Sequence, residues 1–372
     1  MSVEGSRDLP GQSGGLCSNA ADTDSEINGS KNNKDRILYP MKRIGKKGSG
    51  EFERISWDEA YRMIAENLLR IKKEYGPQAA AFYAGYPKWY RPALLRLANA
   101  YGSPNYCTES STCFQSAAMA WRSIYGNDIC FPDLMHAQTV FVWSNNLYHS
   151  NVGMARPYQS LKARGAKIIA VDPRETVTTQ AADIHLKLLP GTDGALALSM
   201  AQVIIEEGLY DKEFVEKYVY GFEEYKAYVN QFPPEKAEKI TGVDKKLIRE
   251  AARMYASNGP AGVMFSASPV VHNINGMQNY RAVMCLIALT GNYDIPGGNP
   301  SRPGPVSPCN EYGKVKRLDT IEAIGEKDFP AWFDLPCEEA QCTRIADYIL
   351  KDRDDVLNVF IHGDMPEKTQ RI

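Results

Sequence analysis

Downstream of Arg54 the chain alternates polar and apolar blocks whose periods predict its elements. In "ISWDEAYRMIAENLLRIKKEYGP", Trp57, Ala60, Tyr61, Ile64, Leu68 and Ile71 recur at the spacing of one helix face. Ser56 and Glu59 stand in a capping-box relation and Gly76-Pro77 stops the run, so a helix is predicted. The apolar "AAAFYAG" predicts a strand and "RPALLRLANAYG" a second helix. Further on, "QTVFVWSNN", "MARPYQSLKARG" and "AKIIAVDPRE" predict strand, helix and strand, a βαβ unit with Gly165 closing its helix. Later blocks predict helices over "DKKLIREAARMYAS" and "GMQNYRAVMCLIALTG" and strands in "AGVMFSASP" and "VLNVFIHGDMP". The loop "NYDIPGGNPSRPGP" reads as a rigid surface of close approach.

Polar residues fall at the ends of the apolar blocks. Ser144, Asn145 and Asn146 follow one strand of the βαβ unit, and Asp172, Pro173 and Arg174 follow the other. In doubly wound sheets ligands sit beyond the carboxyl ends of the strands, so the pattern implies a nucleotide-like ligand. In "LPGTDGALALSMAQVIIEEG", Thr192 and Asp193 open an apolar helix. Free backbone N–H groups there can meet a ligand, or Thr192 is a plain N-cap. No GxGxxG run is present, which disfavours a nicotinamide-dependent dehydrogenase.

Composition narrows the field. The 372 residues, 44% hydrophobic, are enough for two or three domains. The 43 basic and 45 acidic residues are mixed along the chain, so no nucleic-acid footprint is visible. No apolar run approaches the roughly 18 residues of a membrane span. The eight cysteines (17, 107, 113, 130, 285, 309, 337 and 342) form no repeated CxxC, which excludes a zinc ribbon or a small disulfide scaffold. The first 36 residues carry no secretory pattern and read as a loop. Two of the cysteines stand among hydroxyl residues in "GSPNYCTESSTCFQS", Gly102 to Ser116. Cys113 there is either a buried structural thiol or a soft ligand for a metal.

The segments "DRILYPMKRIGKKGSGEFERISWDEA", "GAKIIAVDPRETVTTQAADIHLKLLPGTDGALALSM" and "LTGNYDIPGGN", in that order, resemble the catalytic subunits of the dimethyl sulfoxide reductase family of molybdenum and tungsten enzymes. The resemblance runs from about Arg36 to the last residue. It implies Mo, or W, held by two molybdopterin guanine dinucleotides, with a 4Fe-4S cluster near the N-terminus. It further implies that Cys113 ligates the metal, as in the cysteine-ligated branch, with Ser110 and Ser111 as rivals. The run before Cys113 is most similar to polysulfide, thiosulfate and arsenate reductases.

The same resemblance implies cofactor contacts at Ser144, Asn145 and Asn146, with Ser144 where the family has glycine, and at Asp172, Pro173, Arg174 and Thr176. Gly191, Thr192, Asp193 and Asn292 join them, Asp193 accepting hydrogen bonds from a guanine. His272 matches a segment near the active site, or is a satisfied core histidine. Asp364 stands in place of the family's Gly-Asn-Pro turn. Cys17 matches the fourth cluster ligand, or is a loop thiol.

The implied fold is α/β: a Rossmann-like parallel-sheet domain over 109–308, inserted in a discontinuous α/β domain of 46–108 plus 309–372. Residues 1–45 are then the remnant of an iron–sulfur domain and linker, and the chain reads as an internal fragment. The implied function is two-electron redox chemistry, an anaerobic reduction of a small oxyanion or organic acceptor. The implied partners are a small-molecule substrate, an iron–sulfur electron-transfer subunit and, as a further option, a membrane-anchor subunit. The alternative is a metal-free electron-transfer or structural subunit resembling the large iron–sulfur subunit of respiratory complex I. Periplasmic and cytoplasmic locations both stay open.

Overall fold

The computed structural model describes residues 5–6, 8, 37–85, 89–127, 129–266, 270–301, 321–334 and 339–350. By proximity of their Cα atoms these fall into two compact units, one drawn from Asn33–Gln115 and Pro305–Ile372, the other from Met1–Asn32 and Ser116–Gly304.

In the first unit, β1 (Met41–Arg43) and β2 (Phe52–Arg54) pair antiparallel and lead into α1 (Trp57–Tyr75). The expected start and stop are in place. Ser56 Oγ accepts the Glu59 N–H at 3.1 Å, and Gly76, at φ 88°, returns its N–H to the Lys72 carbonyl. The apolar stripe of this helix behaves differently from its expected core role: Ile71 is buried, but Trp57, Tyr61 and Ile64 are 59%, 62% and 56% exposed. Period alone selects the helix, whereas burial needs a facing element, and the described residues provide one only around Ile71.

β3 (Phe82–Ala84), α2 (Arg91–Tyr101) and β4 (Tyr106–Thr108) follow, with β3 and β4 parallel and Phe82 opposite Tyr106. The helix supplies the crossover that a parallel pair requires. Ala80, Phe82, Ala98, Tyr101 and Tyr106 form one small core, and Cys107, Ala323, Ile324, Ala340 and Tyr348 another. The strand expected in "VLNVFIHGDMP" lies outside the described residues.

The second unit contains α3 (Gln115–Tyr125), β5 (Thr139–Trp143), α4 (Ala155–Ala163), β6 (Lys167–Val171), β7 (Ile184–Leu186) and α5 (Asp193–Glu206). It continues through α6 (Lys212–Tyr218), α7 (Phe222–Val229), α8 (Pro234–Thr241), α9 (Lys245–Ser257), β8 (Ala261–Phe265) and α10 (Gly276–Leu289). The sheet runs β7-β6-β5-β8 with every pair parallel. Thr139 faces Ala261 and Trp143 faces Phe265, so the strands bring their carboxyl ends to one edge.

Both faces of this sheet are covered, which is why its strands read as nearly continuous apolar runs. Val140, Val142, Ile168 and Met264 pack with Tyr158 and Leu161 of α4. Phe141, Trp143, Ile169 and Val171 turn to the other side, against α5, α9 and α10. α5 is apolar almost all round because α8, α9 and α10 all pack on it. Among the described residues no helix is long and apolar enough to cross a membrane.

Candidate functional site

At the carboxyl edge of the four-stranded sheet, β5 ends in Trp143 and the chain turns sharply at Ser144. Ser144 is buried and held at φ 52°, in the left-handed region that favours glycine, with its N–H on the Val171 carbonyl at 2.7 Å. The local fold therefore demands at this position the conformation that a glycine adopts without strain. Asn145 donates its side-chain N–H to the Phe265 carbonyl at 3.2 Å, tying the β5 and β8 ends together. Asn146 precedes a short helical turn, Leu147–Ser150, whose first N–H is received by Thr178 Oγ1 at 3.0 Å.

The end of β6 is arranged by Asp172. This carboxylate is buried and its Oδ1 accepts the Arg174 N–H at 2.8 Å, which shapes the Asp172-Pro173-Arg174 turn. The Arg174 side chain is mostly exposed, 3.8 Å from Asp172 Oδ1. Thr176 caps the turn Val177–Gln180 in a reciprocal box with Thr179, at 3.2 and 2.8 Å. Its backbone and hydroxyl are thus committed to holding the loop.

Asp193 opens α5, and Trp143 Nε1 donates to its Oδ1 at 2.7 Å. Burial raises the Asp193 carboxyl above its ordinary range, an effect the indole N–H offsets in part. Thr192 is not a side-chain cap: its hydroxyl turns back to the Leu189 carbonyl at 2.6 Å. The helix N-terminus is held instead by Asn279 of α10, which sequence reasoning missed. Its Oδ1 accepts the Gly194 N–H, and its Nδ2 donates to the Gly191 carbonyl and to Asn273 Oδ1, each at 3.2 Å. A Cβ on Gly194 would stand 2.5 Å from Asn279 Oδ1, so this approach needs glycine. Asn279 reads as an ordinary helical position in "GMQNYRA", and no local motif marks it.

Two further expected site residues have different surroundings. Asn292 is buried with its Oδ1 on the N–H of Ala261, the first residue of β8, and its Nδ2 on Thr290 Oγ1. That is the amino edge of the sheet, four residues, or about 13 Å, from the carboxyl edge. Its side-chain amide is engaged in holding the start of β8. His272 is exposed, which corrects its alternative reading as a core histidine, and it lies beside Asn273 on the turn before α10. Cys17 and Asp364 lie outside the described residues.

In the first unit, β4 passes into a 3-10 turn, Glu109–Thr112, that ends at Cys113. Thr108 caps this turn, its Oγ1 accepting the Ser110 N–H at 3.1 Å and its hydroxyl bonding Glu339 Oε2 at 2.7 Å. Ser111 and Cys342 bond side chain to side chain at 2.9 Å, and Arg91 pairs with Glu109. Burial raises the Glu339 carboxyl above its ordinary range, against the pull of the Thr108 hydroxyl and Arg91.

The two cysteines of this stretch differ in kind. Cys107 is fully buried, and burial, with Cys342 and Glu339 nearby, pushes its thiol far up. Cys113 is partly exposed, with its N–H on the Ser110 carbonyl at 3.1 Å. The fully buried, inert reading therefore fits Cys107, not Cys113. Among the described residues no group of three or more His, Cys, Asp or Glu is gathered to hold a metal.

The family model described as molybdopterin oxidoreductase matches residues 36–333. The chain belongs to the molybdopterin oxidoreductase family. It is 37% identical over 310 residues to acetylene hydratase of Syntrophotalea acetylenica, covering 81% of this chain and 42% of that protein. It is 30% identical over 329 residues to the thiosulfate reductase molybdopterin-containing subunit PhsA of Salmonella typhimurium, covering 88% and 42%. It is 36% identical over 277 residues to formate dehydrogenase H of Escherichia coli, covering 72% and 38%. The solved structure of acetylene hydratase from Pelobacter acetylenicus superposes with a TM-score of 0.79 at 28% identity, over 95% of this chain and 51% of that one. This molybdopterin oxidoreductase chain thus spans about half the length, or less, of these relatives.

Proposed function

We propose that the chain belongs to the catalytic subunit of a molybdenum or tungsten enzyme that carries two molybdopterin guanine dinucleotides. Its reaction in this reading is a two-electron reduction of a small oxyanion or organic acceptor. The observation that carries the reading is the backbone at Ser144, turned left-handed at the carboxyl edge of a parallel sheet, in a chain that belongs to this family.

The donor set fits the cofactor. A metal held mainly by the sulfurs of a bound organic group needs few ligands from the protein, and one thiolate at Cys113 suits such a soft centre. When bound, the pterin-held metal supplies the two-electron change, and the protein supplies position and electrostatics. Asn145 and Asn146 present amide groups to a dinucleotide, and the Asp172-Pro173-Arg174 turn, held by its own Asp172 bond, presents the Arg174 side chain. Asp193, whose Oδ1 is already held by Trp143, offers Oδ2 to the N–H donors of a guanine. The exposed guanidinium of Arg174 suits a phosphate. The Thr108, Ser111, Glu339 and Cys342 bonds fix the turn that presents Cys113. A 4Fe-4S cluster with Cys17 among its ligands, an iron–sulfur partner subunit, and the insertion of one α/β domain in the other belong to the same proposal.

The test is the full-length protein as wild type, Cys113→Ala, Cys113→Ser and Cys107→Ala, with metal, guanine-nucleotide content and turnover measured together. Cys113→Ala should keep the nucleotides and lose turnover by about a hundredfold or more, while Cys107→Ala stays active. Full activity in Cys113→Ala would move the ligand elsewhere. A wild type with neither metal nor pterin would instead support the electron-transfer alternative.

A second reading, hydration without net redox change, is favoured by one observation: acetylene hydratase appears both among the sequence relatives and as the solved neighbour. Acetaldehyde formed from acetylene with no electron donor or acceptor present would select it over the reductase reading.

A further inference from the structure

The 3-10 turn that ends at Cys113 is tied to a distant stretch of the same unit, 339–342, through a row of side chains that carry exchangeable protons. Glu339 Oε2 lies 2.7 Å from Thr108 Oγ1, and Thr108 Oγ1 lies 2.8 Å from Ser110 Oγ. Backbone groups fix the spacing: the Ala340 N–H donates to the Tyr106 carbonyl at 2.7 Å, and the Cys342 N–H to Ser111 Oγ at 3.2 Å. Thr108 is fully buried. Ser110, at the far end, is half-buried, and among the described residues its hydroxyl meets only Thr108. The Cys113 N–H returns to the Ser110 carbonyl at 3.1 Å, so the row ends one turn from the cysteine.

The hydroxyl count leaves this row two states. Thr108 Oγ1 has one proton to give and two lone pairs, and one lone pair already accepts the Ser110 backbone N–H at 3.1 Å. It therefore donates to one side-chain neighbour and accepts from the other. With Glu339 ionised, Ser110 donates to Thr108 and Thr108 to Glu339. With Glu339 protonated, Glu339 donates to Thr108, Thr108 donates to Ser110, and the Ser110 proton is free to point outward. A proton that enters at Glu339 is thus matched by one released at Ser110. Burial holds the proton on Glu339 to higher pH than on an ordinary glutamate, against the Thr108 hydroxyl and Arg91 and with the help of Glu109. Tyr106, Cys107 and Cys342 also face this carboxyl, and burial raises all three, which favours their neutral forms.

Removing an oxygen atom as water consumes two protons along with two electrons, and the reading of Cys113 as the metal ligand puts that demand at the end of the 3-10 turn. We propose that Glu339, Thr108 and Ser110 are a proton relay supplying the site at Cys113, an inference that rests on that reading. In each passage Glu339 gives its proton to Thr108, Thr108 gives its own to Ser110, and Ser110 gives its own to an oxygen at the site. Glu339 then takes a proton from solvent and the hydroxyls turn back. One proton is delivered, the three groups are restored, and no electron moves along the row. Glu339 and Thr108 act through Ser110 and are positioning residues.

The experiment uses the full-length protein as wild type, Glu339→Gln, Thr108→Ser and Thr108→Val. Infrared titration from about pH 4 to about pH 8 reads the row without turnover. A carboxyl band that loses its proton above the ordinary 4.5 is expected in wild type and in Thr108→Ser. It should be gone in Glu339→Gln and displaced in Thr108→Val, where the carboxyl has no hydroxyl partner. Turnover of thiosulfate with reduced methyl viologen is the second measurement. Glu339→Gln keeps a hydrogen bond to Thr108 and carries no proton, so it should lose about tenfold or more in kcat with KM within about twofold. Thr108→Ser should stay within about threefold of wild type. Wild-type kcat should fall as pH rises through the carboxyl's folded value, and Glu339→Gln should be flat there. A missing Glu339 band, a band unmoved by Thr108→Val, or undiminished kcat in folded Glu339→Gln would overturn the relay. If thiosulfate is not turned over, the two infrared results decide alone. Full activity in Cys113→Ala would instead overturn the ligand reading, and it leaves the infrared bands unchanged.

Discussion

Trp143, the last residue of β5, donates its indole N–H to Asp193, the first residue of α5, across 2.7 Å, and both side chains are buried. This bond joins the end of a central strand to the start of the most buried helix, so the carboxyl edge of the sheet is fixed by a polar contact inside an apolar core.

The bond carries a pH signature. Asp193 has its carboxyl raised above the ordinary 3.8, because burial outweighs the help of the Trp143 N–H. A raised folded value favours the neutral form, so the contribution to stability is full below 3.8 and is lost as pH rises through the folded value. Asp193→Asn keeps an acceptor for the indole and never ionises. The stability of wild type relative to this variant, from urea unfolding, is expected to fall as pH is raised from about 4 towards neutrality. A difference that stays flat, or grows, would refute the assignment.

Ser144 makes a second prediction, since it holds φ 52° without being glycine. Left-handed backbone strains a residue with a Cβ by about 1–2 kcal/mol, and glycine returns part of that as chain entropy on folding. Ser144→Gly should therefore stabilise the protein by up to about 1 kcal/mol, and Ser144→Val should destabilise it by about 1 kcal/mol or more. Denaturant midpoints at constant slope measure both. A destabilised Ser144→Gly would mean that the hydroxyl, not the backbone, matters at this turn.

The long elements were legible in the chain for identifiable reasons. Ser56 and Gly76 bracket α1, and the run to Val171 with Asp172 after it announces a strand of a doubly wound sheet. What escaped had too little sequence to show a period: β4 and β7 are three residues each, and α6, α7 and α8 are seven or eight. The exposure of Trp57 and Tyr61 was also hidden, because a periodic stripe does not say whether anything faces it. At the site, Asp172 and Asp193 were marked by their places after a strand and before a helix. Asn279 was not, since its partners Gly191 and Gly194 lie more than 80 residues earlier. Asn292 holds the amino end of β8, a bond that no local motif announces.

The two cysteines six residues apart provide a third test. Cys107 has no exposure and a thiol pushed far up, whereas Cys113 is partly exposed. Alkylation requires thiolate and access together. With iodoacetamide on the native protein, Cys113 should be modified at least about tenfold faster than Cys107, and the two should converge in denaturant. Peptide mass spectrometry reads the two rates. Equal native rates would place both thiols in the same environment and remove the structural distinction between them.

The two asparagines that hold opposite edges of the sheet should separate stability from ligand binding. Asn292→Ala leaves the buried Ala261 N–H without its acceptor, and Asn279→Ala leaves the Gly194 N–H and the Gly191 carbonyl without theirs. Each loss is expected to destabilise by about 1–3 kcal/mol, since an unpaired buried group forfeits its hydration. Their effects on a dinucleotide should differ, because Asn279 shapes the Gly191–Asp193 turn while Asn292 acts at the amino end of β8. In full-length protein, Asn279→Ala should carry less guanine nucleotide per folded molecule, and Asn292→Ala as much as wild type at a lower melting temperature. Nucleotide loss in folded Asn292→Ala would show that the amino edge also contributes to the dinucleotide site.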